Sequence, residues 1–225
     1  MPVKLVSRLL GYFDKGIVEE ELKNVIAKFN LRGRIIDYGC GQMPYKPMFV
    51  NSEVVGADIE DPTMQSVATI RIKDYKTSLP KSSFDVALCT EVLEHVKEPS
   101  EVLKELNHLL KPNGYLVLTA PFMIPEHDER DYWRFTIKGL KLLAKENGFE
   151  AIYEKKLTNN MHSISHMLRN VIAKSWINEK SRSKYVTSIV AIPVIVVVGA
   201  LFGLLKRLSS LRTGPMICMI VCRKA

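Results

Sequence analysis

The sequence predicts an α/β protein built on an open, mostly parallel sheet, and three observations predict it. Short apolar runs of strand length alternate along the chain with stretches of helical periodicity. The run Ile35-Ile36 passes through an acid, Asp37, into a Gly-x-Gly turn at Gly39 and Gly41, with Cys40 between them. Tyr115 to Ala120 is a continuous apolar stretch, as expected of a strand in the middle of a sheet covered on both faces. Strand, glycine turn and helix, in that order, build a nucleotide pocket at the carboxyl end of the first strand of such sheets. Glycine there lets a ligand approach the main chain. The stretch is not the dinucleotide fingerprint, because Pro44 stands where the next glycine belongs, and it is not a P-loop, because no Gly-Lys-Ser/Thr follows.

Each element follows from its pattern. Asp14 to Phe29 reads as an amphipathic helix with Ile17, Leu22, Val25, Ile26 and Phe29 on one side and Glu19, Glu20, Glu21 and Lys23 turned to water. Tyr45 to Val50 is a short helix, and Pro44 and Pro47 suit its first turn. Glu53 to Asp58 is the second strand, ending in a carboxylate about twenty residues past the glycine turn, where it can accept from both hydroxyls of a ribose. Ile59 follows it, and Glu60 and Asp61 compete for the same role. Val67 to Ile72 is the third strand and leads to Asp74 and Tyr75. Phe84 to Cys89 is the fourth, followed by Thr90, Glu91 and Val92; His95 lies one helical turn past Glu91, where it lines the pocket or makes a local hydrogen bond. Pro99 to Leu110 is a helix, Pro112-Asn113-Gly114 a tight turn, and Tyr115 to Ala120 the strand already noted. Thr136 caps a helix over Ile137 to Asn147 that Gly148 ends, and Phe149 to Lys155 is a strand.

A chain of 225 residues supports one good-sized core with an appendage. Cys40, Cys89, Cys218 and Cys222 form no Cys-x-x-Cys pair, which suits reduced thiols in the cytoplasm and excludes a disulfide framework or a zinc site. Met1 to Phe13 lacks the sustained apolar run of a secretory signal. The net charge of +8 is uneven: residues 1–160 carry 22 Lys/Arg and 23 acids, whereas residues 161–225 carry 10 Lys/Arg and one acid, Glu179. That asymmetry points to an anionic partner for the tail, a membrane or a nucleic acid.

Asp37-Tyr38-Gly39-Cys40-Gly41 resembles the first motif of the class I S-adenosylmethionine-dependent methyltransferases. Gly56-Ala57-Asp58, Asp74, Phe84-Asp85-Val86, Val92-Leu93-Glu94-His95-Val96 and Leu110-Lys111-Pro112-Asn113-Gly114 follow in that family's order, and the likeness runs from about Ile35 to Tyr153. It departs at Met43, where the family often has a third glycine. The resemblance implies a Rossmann-like sheet of seven mostly parallel strands flanked by helices, with the last strand antiparallel. It implies S-adenosyl-L-methionine as cofactor, with Gly39, Cys40 and Gly41 near the methionine moiety, Asp37 fixing its amino end, Asp58 and Ile59 at the ribose, and Asp74 and Tyr75 at the adenine. Thr90, Glu91 and His95 border it, and Asp85 is structural. No metal is implied.

Met216 to Cys222 is the best candidate for the closing strand, so 157–213 is a helical insertion between neighbouring strands, and 1–156 with 214–225 form the methyltransferase domain. Met161 to Ile177 is helical in pattern. Tyr185 to Leu205 holds no charged residue, with Lys180, Arg182 and Lys184 before it and Lys206, Arg207 and Arg212 after it. The length suits a membrane span, but the strands flanking the insertion should be sheet neighbours, and both flanks are positive. We read 185–205 as an in-plane or re-entrant apolar element on the cytoplasmic leaflet, with 180–212 touching anionic headgroups. A helix covering the sheet, a homodimer interface and a true span are the alternatives.

The loop Pro121 to Phe135 leaves the carboxyl end of a central strand, over the methyl donor. His127, Asp128, Asp131, Tyr132 and Arg134 are groups that could bind or deprotonate an acceptor, and Trp133 and Phe135 could cover an apolar or sugar face. A similar run occurs in family members linked to cell-surface glycan and lipid pathways. The bland alternative is a loop whose aromatics only pack and whose charges only pair. The expected reaction is methyl transfer to a small-molecule, glycan or lipid-linked acceptor at a membrane surface. His127 is the first choice of base and Asp131 the second. A non-catalytic scaffold with the same fold is one alternative. A nucleic-acid methyltransferase ranks lower, because the basic residues flank an apolar stretch and do not interleave with aromatics.

Overall fold

The computed structural model describes residues 16–61, 66–126, 129–177 and 214–225, together with the isolated positions 193, 194, 196, 197, 200, 201 and 204. His127, Asp128, Met1 to Phe13 and most of 180–212 lie outside the described residues. The chain divides into two compact units. The larger comprises Val18–Pro121, His127–Lys155 and Cys218–Ala225, and the smaller comprises Met1–Ile17, Phe122–Glu126 and Lys156–Ile217.

The elements run α1 (Ile17–Phe29), β1 (Arg34–Tyr38), β2 (Glu53–Ile59), β3 (Ile70–Ile72), β4 (Phe84–Thr90), α2 (Pro99–Leu109), β5 (Leu110–Pro121), α3 (Ile137–Glu146), β6 (Phe149–Lys156), α4 (Asn160–Ile177) and β7 (Ile217–Lys224). The seven strands form one sheet in the order β3-β2-β1-β4-β5-β7-β6. β1 pairs in parallel with β2 and β4, β2 with β3, and β4 with β5. β7 runs against its neighbours. At its far end Ala225 N–H donates to Gly148 O (3.1 Å) and Lys224 Nζ to Leu110 O (2.8 Å), next to the starts of β6 and β5. The order reverses between β1 and β4, and a crevice at the carboxyl ends of such strands is where open sheets place ligands.

Central strands are buried because both faces are covered. Ile35, Ile36, Ala87, Leu88, Leu116, Val117 and Leu118 are fully buried, as are Leu22 and Val25 of α1, Val102, Leu103 and Leu106 of α2, and Leu140 of α3. Each such Val, Leu or Ile side chain stabilises the fold by about 1.5–3 kcal/mol relative to exposure. Thr136 Oγ1 caps α3 by accepting from Gly139 N (3.0 Å), and Gly148 past its end takes φ +79°. Asp85 is structural: its carboxylate accepts from Arg34 N (2.8 Å) and Lys111 Nζ (2.7 Å). Burial opposes its ionisation, but those two donors prevail and hold it below the usual carboxylate range.

Several local expectations need correction. Glu21 does not face water. It is buried, and its carboxylate accepts from Tyr153 OH (2.5 Å) of β6 and lies 3.7 Å from Lys155 Nζ. The short helix after the glycine turn is a single 3-10 turn, Lys46–Met48, closed by Met48 N to Tyr45 O (3.0 Å) and Phe49 N to Lys46 O (3.2 Å), and Phe49 leaves helical geometry with ψ 68°. β3 starts at Ile70 and not at Val67, because Val67 N donates to Gly41 O (2.9 Å) in the glycine turn. β5 starts at Leu110, opposite Phe84, and the expected turn forms as an excursion inside it with Asn113 at φ +62° before Tyr115 pairs with Val86. The helix expected over Met161–Ile177 is α4, and no disulfide links the four buried cysteines.

Candidate active site

The site starts at the tip of β1. Gly39 takes φ +73°, and a Cβ there would lie 2.4 Å from Val92 Cγ2, so only glycine fits. Gly41 takes φ +48° and its N–H donates to Asp58 Oδ2 (2.9 Å). The same carboxylate accepts from Ser66 OH (2.9 Å) and Ile59 N (2.8 Å). Asp58 thus ties the glycine turn to the end of β2, and it keeps lone pairs for a further donor. Met43 takes φ +51°, so the turn has left-handed geometry there without a glycine, at a cost of about 1–2 kcal/mol. Gly56 makes room for it: a Cβ at Gly56 would meet Cys40 Sγ at 2.8 Å and Met43 Sδ at 2.9 Å.

The opposite wall comes from β3 and β4. Lys73 and Lys76 exchange two backbone hydrogen bonds, both 2.9 Å, around Asp74 (φ +50°) and Tyr75 (φ +65°). Two left-handed residues in a two-residue loop match a type I′ turn. Tyr38 OH donates to Tyr75 O (2.8 Å) and holds the turn in place. At the tip of β4, Glu91 takes φ +54°, and its N–H points at Thr119 O (3.2 Å) and Thr119 Oγ1 (3.1 Å) of β5. Strained backbone of this kind gathers where a structure holds functional groups.

These tips enclose a cavity of about 440 Å³, within the range of small-molecule sites, roughly 300–1,000 Å³. Of the residues assigned to the cofactor from sequence, Gly39, Gly41, Asp58, Ile59, Asp74, Tyr75, Glu91 and His95 line it, and Asp37, Cys40 and Thr90 do not. Cys40 is buried, and burial pushes its thiol up to about 11, which excludes it as a nucleophile near neutrality. Thr90 continues the ladder opposite Thr119. His95 lines the cavity, and its Nδ1 lies 3.0 Å from Arg130 O, a partner 35 positions away and not the local one of the alternative reading.

The electrostatics are those of a site for a cation. Asp37 is buried, and its Oδ2 has no hydrogen-bond partner among the described residues. Burial, and next the nearby Asp58 charge, raise its carboxyl to about 7. Glu91 Oε1 and Glu94 Oε2 are likewise buried without partners, and desolvation raises both carboxyls. Unsatisfied carboxylate oxygens behind the tips of β1 and β4 suit a ligand that brings an ammonium and a sulfonium. Asp58 and Asp74 suit its hydroxyl and amino groups. The donor set therefore fits S-adenosylmethionine. Among the described residues no three His, Cys, Asp or Glu side chains converge as metal ligands.

The loop after β5 is stitched to the segment after β4. Tyr132 N donates to Glu94 O (2.7 Å) and Trp133 Nε1 to Val96 O (2.9 Å). Of the residues assigned to the acceptor, Tyr132 lines the cavity. Asp131 has a fully buried side chain and meets Arg134 through both oxygens, the second at 2.6 Å from Arg134 Nη2. Arg130, absent from the sequence reading, lines the cavity and pairs with Asp61. A basic residue in the loop and a spare acid after β2 were both visible, but nothing local linked them. Glu94, also missed as a buried acid, is one residue from His95, and its Oε1 lies 3.8 Å from His95 Nε2.

Residues 10–154, well over half of the chain, match the family described as "Methyltransferase domain". The protein belongs to that family, and its motifs and pocket are those of the S-adenosylmethionine-dependent enzymes. The ubiquinone biosynthesis O-methyltransferase of Bradyrhizobium diazoefficiens is 29% identical over 127 residues, covering 49% of this chain and 49% of that protein. The protein of the same name from Cereibacter sphaeroides is 32% identical over 126 residues, covering 49% and 51%. The chain thus spans about half the length of the curated relatives it matches. Among solved structures, phosphoethanolamine N-methyltransferase 2 of Haemonchus contortus with S-adenosyl-L-methionine superposes with a TM-score of 0.56 at 16% identity, over 91% of this chain and 52% of that one. The [4+2]-cyclase SpnF superposes at 0.57 and 14% identity, over 91% and 80%. At such identities the likeness shows the fold, and a fold shared with a cyclase does not fix the reaction.

Proposed function

We propose that the protein transfers a methyl group from S-adenosylmethionine to an oxygen of a small-molecule acceptor. The observation that carries this is the cradle at the tip of β1, where Gly39 leaves bare backbone against Val92 and Asp37 keeps an unsatisfied buried oxygen. The choice of oxygen follows the relatives, which are named as O-methyltransferases of ubiquinone biosynthesis. When bound, the cofactor supplies an electrophilic methyl group on a cationic sulfur, a leaving group that needs no proton.

The chain's own residues then have three tasks. Asp37, Asp58 and Asp74 hold the amino, ribose and adenine ends, with Gly39, Cys40, Gly41, Ile59 and Tyr75 shaping the backbone around them. Glu91 and His95 border the reacting end, and Thr90 holds the end of β4 in its ladder opposite Thr119. Tyr132 and its loop exclude water and orient the acceptor, and alignment alone is worth roughly 7–11 kcal/mol in favourable cases. His127 is the proposed base for the acceptor hydroxyl, ahead of Asp131, whose carboxylate is engaged by Arg134.

Residues 1–156 with 214–225 form the catalytic domain in this reading, and 157–213 the appendage. The finer part of the proposal puts the chemistry beside an anionic membrane surface, contacted through 180–212 with 185–205 as the apolar part, and gives the protein a lipid-linked acceptor. The test is to supply cofactor labelled in its methyl group with aqueous and organic-solvent extracts of the source cells. Label appearing in the organic extract, and lost in His127→Ala while cofactor still binds, is the expected result. Full label incorporation by His127→Ala would remove the base assignment. No incorporation into either extract by folded protein would remove the transfer reaction.

A further inference from the structure

The smaller unit carries a feature that methyl transfer does not use. Among the described residues, eight of the fifteen exposed large apolar side chains lie in it: Ile164, Met167 and Leu168 on α4, and Val194, Val196, Val197, Leu201 and Leu204 further on. Ile164, Met167 and Leu168 are spaced i, i+3, i+4 and share one face of α4. Val194, Val197, Leu201 and Leu204 each have helical geometry, and in sequence they are spaced i, i+3, i+7, i+10. Val197 is 63% and Leu204 61% exposed, so these side chains are turned outward. Isolated apolar residues on a surface are ordinary, but eight in one small unit mark an interaction surface.

Two further observations identify what covers it. The first is charge. Residues 161–213 contain eight Lys/Arg and a single acid, Glu179. A protein partner with an apolar face does not call for that excess, whereas anionic headgroups attract it, at about a factor of five per basic residue near the surface. The second is geometry. The segment leaves and returns at one point: Leu157 N donates to Ile217 O (3.0 Å), Met216 N to Thr158 Oγ1 (2.7 Å) and Gly214 N to Asn160 Oδ1 (2.9 Å). Phe122 N and Met123 N brace the same neck through Met216 O (2.7 Å) and Pro215 O (3.2 Å). Both ends of the segment are therefore held on the same side of any bilayer. Among the described residues no helix is long and apolar enough to cross a membrane.

We propose that the smaller unit docks from one side onto a bilayer rich in anionic lipid. The apolar side chains of Val194, Val197, Leu201 and Leu204 enter the headgroup–acyl boundary. The proposal rests on the membrane part of the reading above and is independent of methyl transfer.

The test is flotation of the full chain with vesicles of phosphatidylcholine alone and of phosphatidylcholine with phosphatidylglycerol. The expected result is flotation with the anionic vesicles at low salt, weaker with rising salt as the headgroup charge is screened. The double variant Val197→Asp, Leu201→Asp should float at least about tenfold less, since each buried aliphatic side chain contributes a tenfold factor or more. Cofactor titration of the same variant should match the wild type, showing that it is folded. Equal flotation of wild type and variant, equal flotation with both vesicle types, or no flotation with anionic vesicles would overturn the proposal. A dimer by light scattering that the double variant abolishes, with no flotation, would assign these side chains to a second copy of the chain. Flotation without cofactor binding would instead remove the methyltransferase reading and leave the docking intact.

Discussion

Gly39 is where a single atom decides the site. Alanine there places Cβ against Val92 and forces a left-handed φ of +73°, which alone costs about 1–2 kcal/mol. Gly39→Ala should therefore weaken cofactor binding at least about tenfold in calorimetry. Asp58→Ala should do the same by a different route, because its carboxylate holds Gly41 N and Ile59 N in position as well as facing the cavity. Asp37 makes a pH prediction. Its carboxyl is raised from 3.8 to about 7 in the folded state, so the native protein binds more protons than the unfolded chain between those values. Its contribution to stability is full below the lower value and is lost as pH rises through the upper one. Asp37→Asn should raise the melting temperature above pH 7 relative to wild type, by the equivalent of about 4 kcal/mol if the whole shift is expressed, and should leave stability near pH 4 unchanged. A cationic ligand beside Asp37 would expel that proton. Cofactor binding should then release a proton near neutral pH, seen as a buffer-dependent heat, and Asp37→Asn should abolish the release.

Elements tell how much was legible. The order of strands and helices could be read because each has its own period, and the glycine turn could be read because Gly39 and Gly41 answer to backbone geometry that any chain must obey. Long-range pairs could not. Glu21 looked like a surface acid because its partner, Tyr153, stands 132 positions away. The Arg130–Asp61 pair joins residues 69 positions apart and so left no local pattern. Left-handed backbone at Met43 and Tyr75 was equally hidden, since those residue types do not announce it. Tyr153→Phe leaves the buried Glu21 carboxylate without its short hydrogen bond and should cost about 1–3 kcal/mol, read as a lower denaturation midpoint with cofactor affinity unchanged. Asp61→Asn weakens the tie between the end of β2 and the loop over the cavity. It should speed cofactor release several-fold in stopped flow while leaving the melting temperature close to wild type, because an ion pair with a half-exposed partner contributes about 1 kcal/mol or less.

The whole molecule couples one sheet to one pocket. Seven strands in the order β3-β2-β1-β4-β5-β7-β6 bring the carboxyl ends of β1, β2 and β4 together around the cavity. The family could be read from the sequence because its motifs mark these strand ends. The acceptor could not, because the loop proposed to face it, Pro121 to Phe135, takes its partners from elsewhere in the chain. The most direct measurement is a titration of S-adenosylmethionine into the full-length protein, with Gly39→Ala alongside. One saturable site per chain, with proton release near neutral pH and at least about tenfold weaker binding in the variant, is the predicted result. A folded wild-type protein that takes up no cofactor, or a variant that binds it as well as the wild type, would contradict the account.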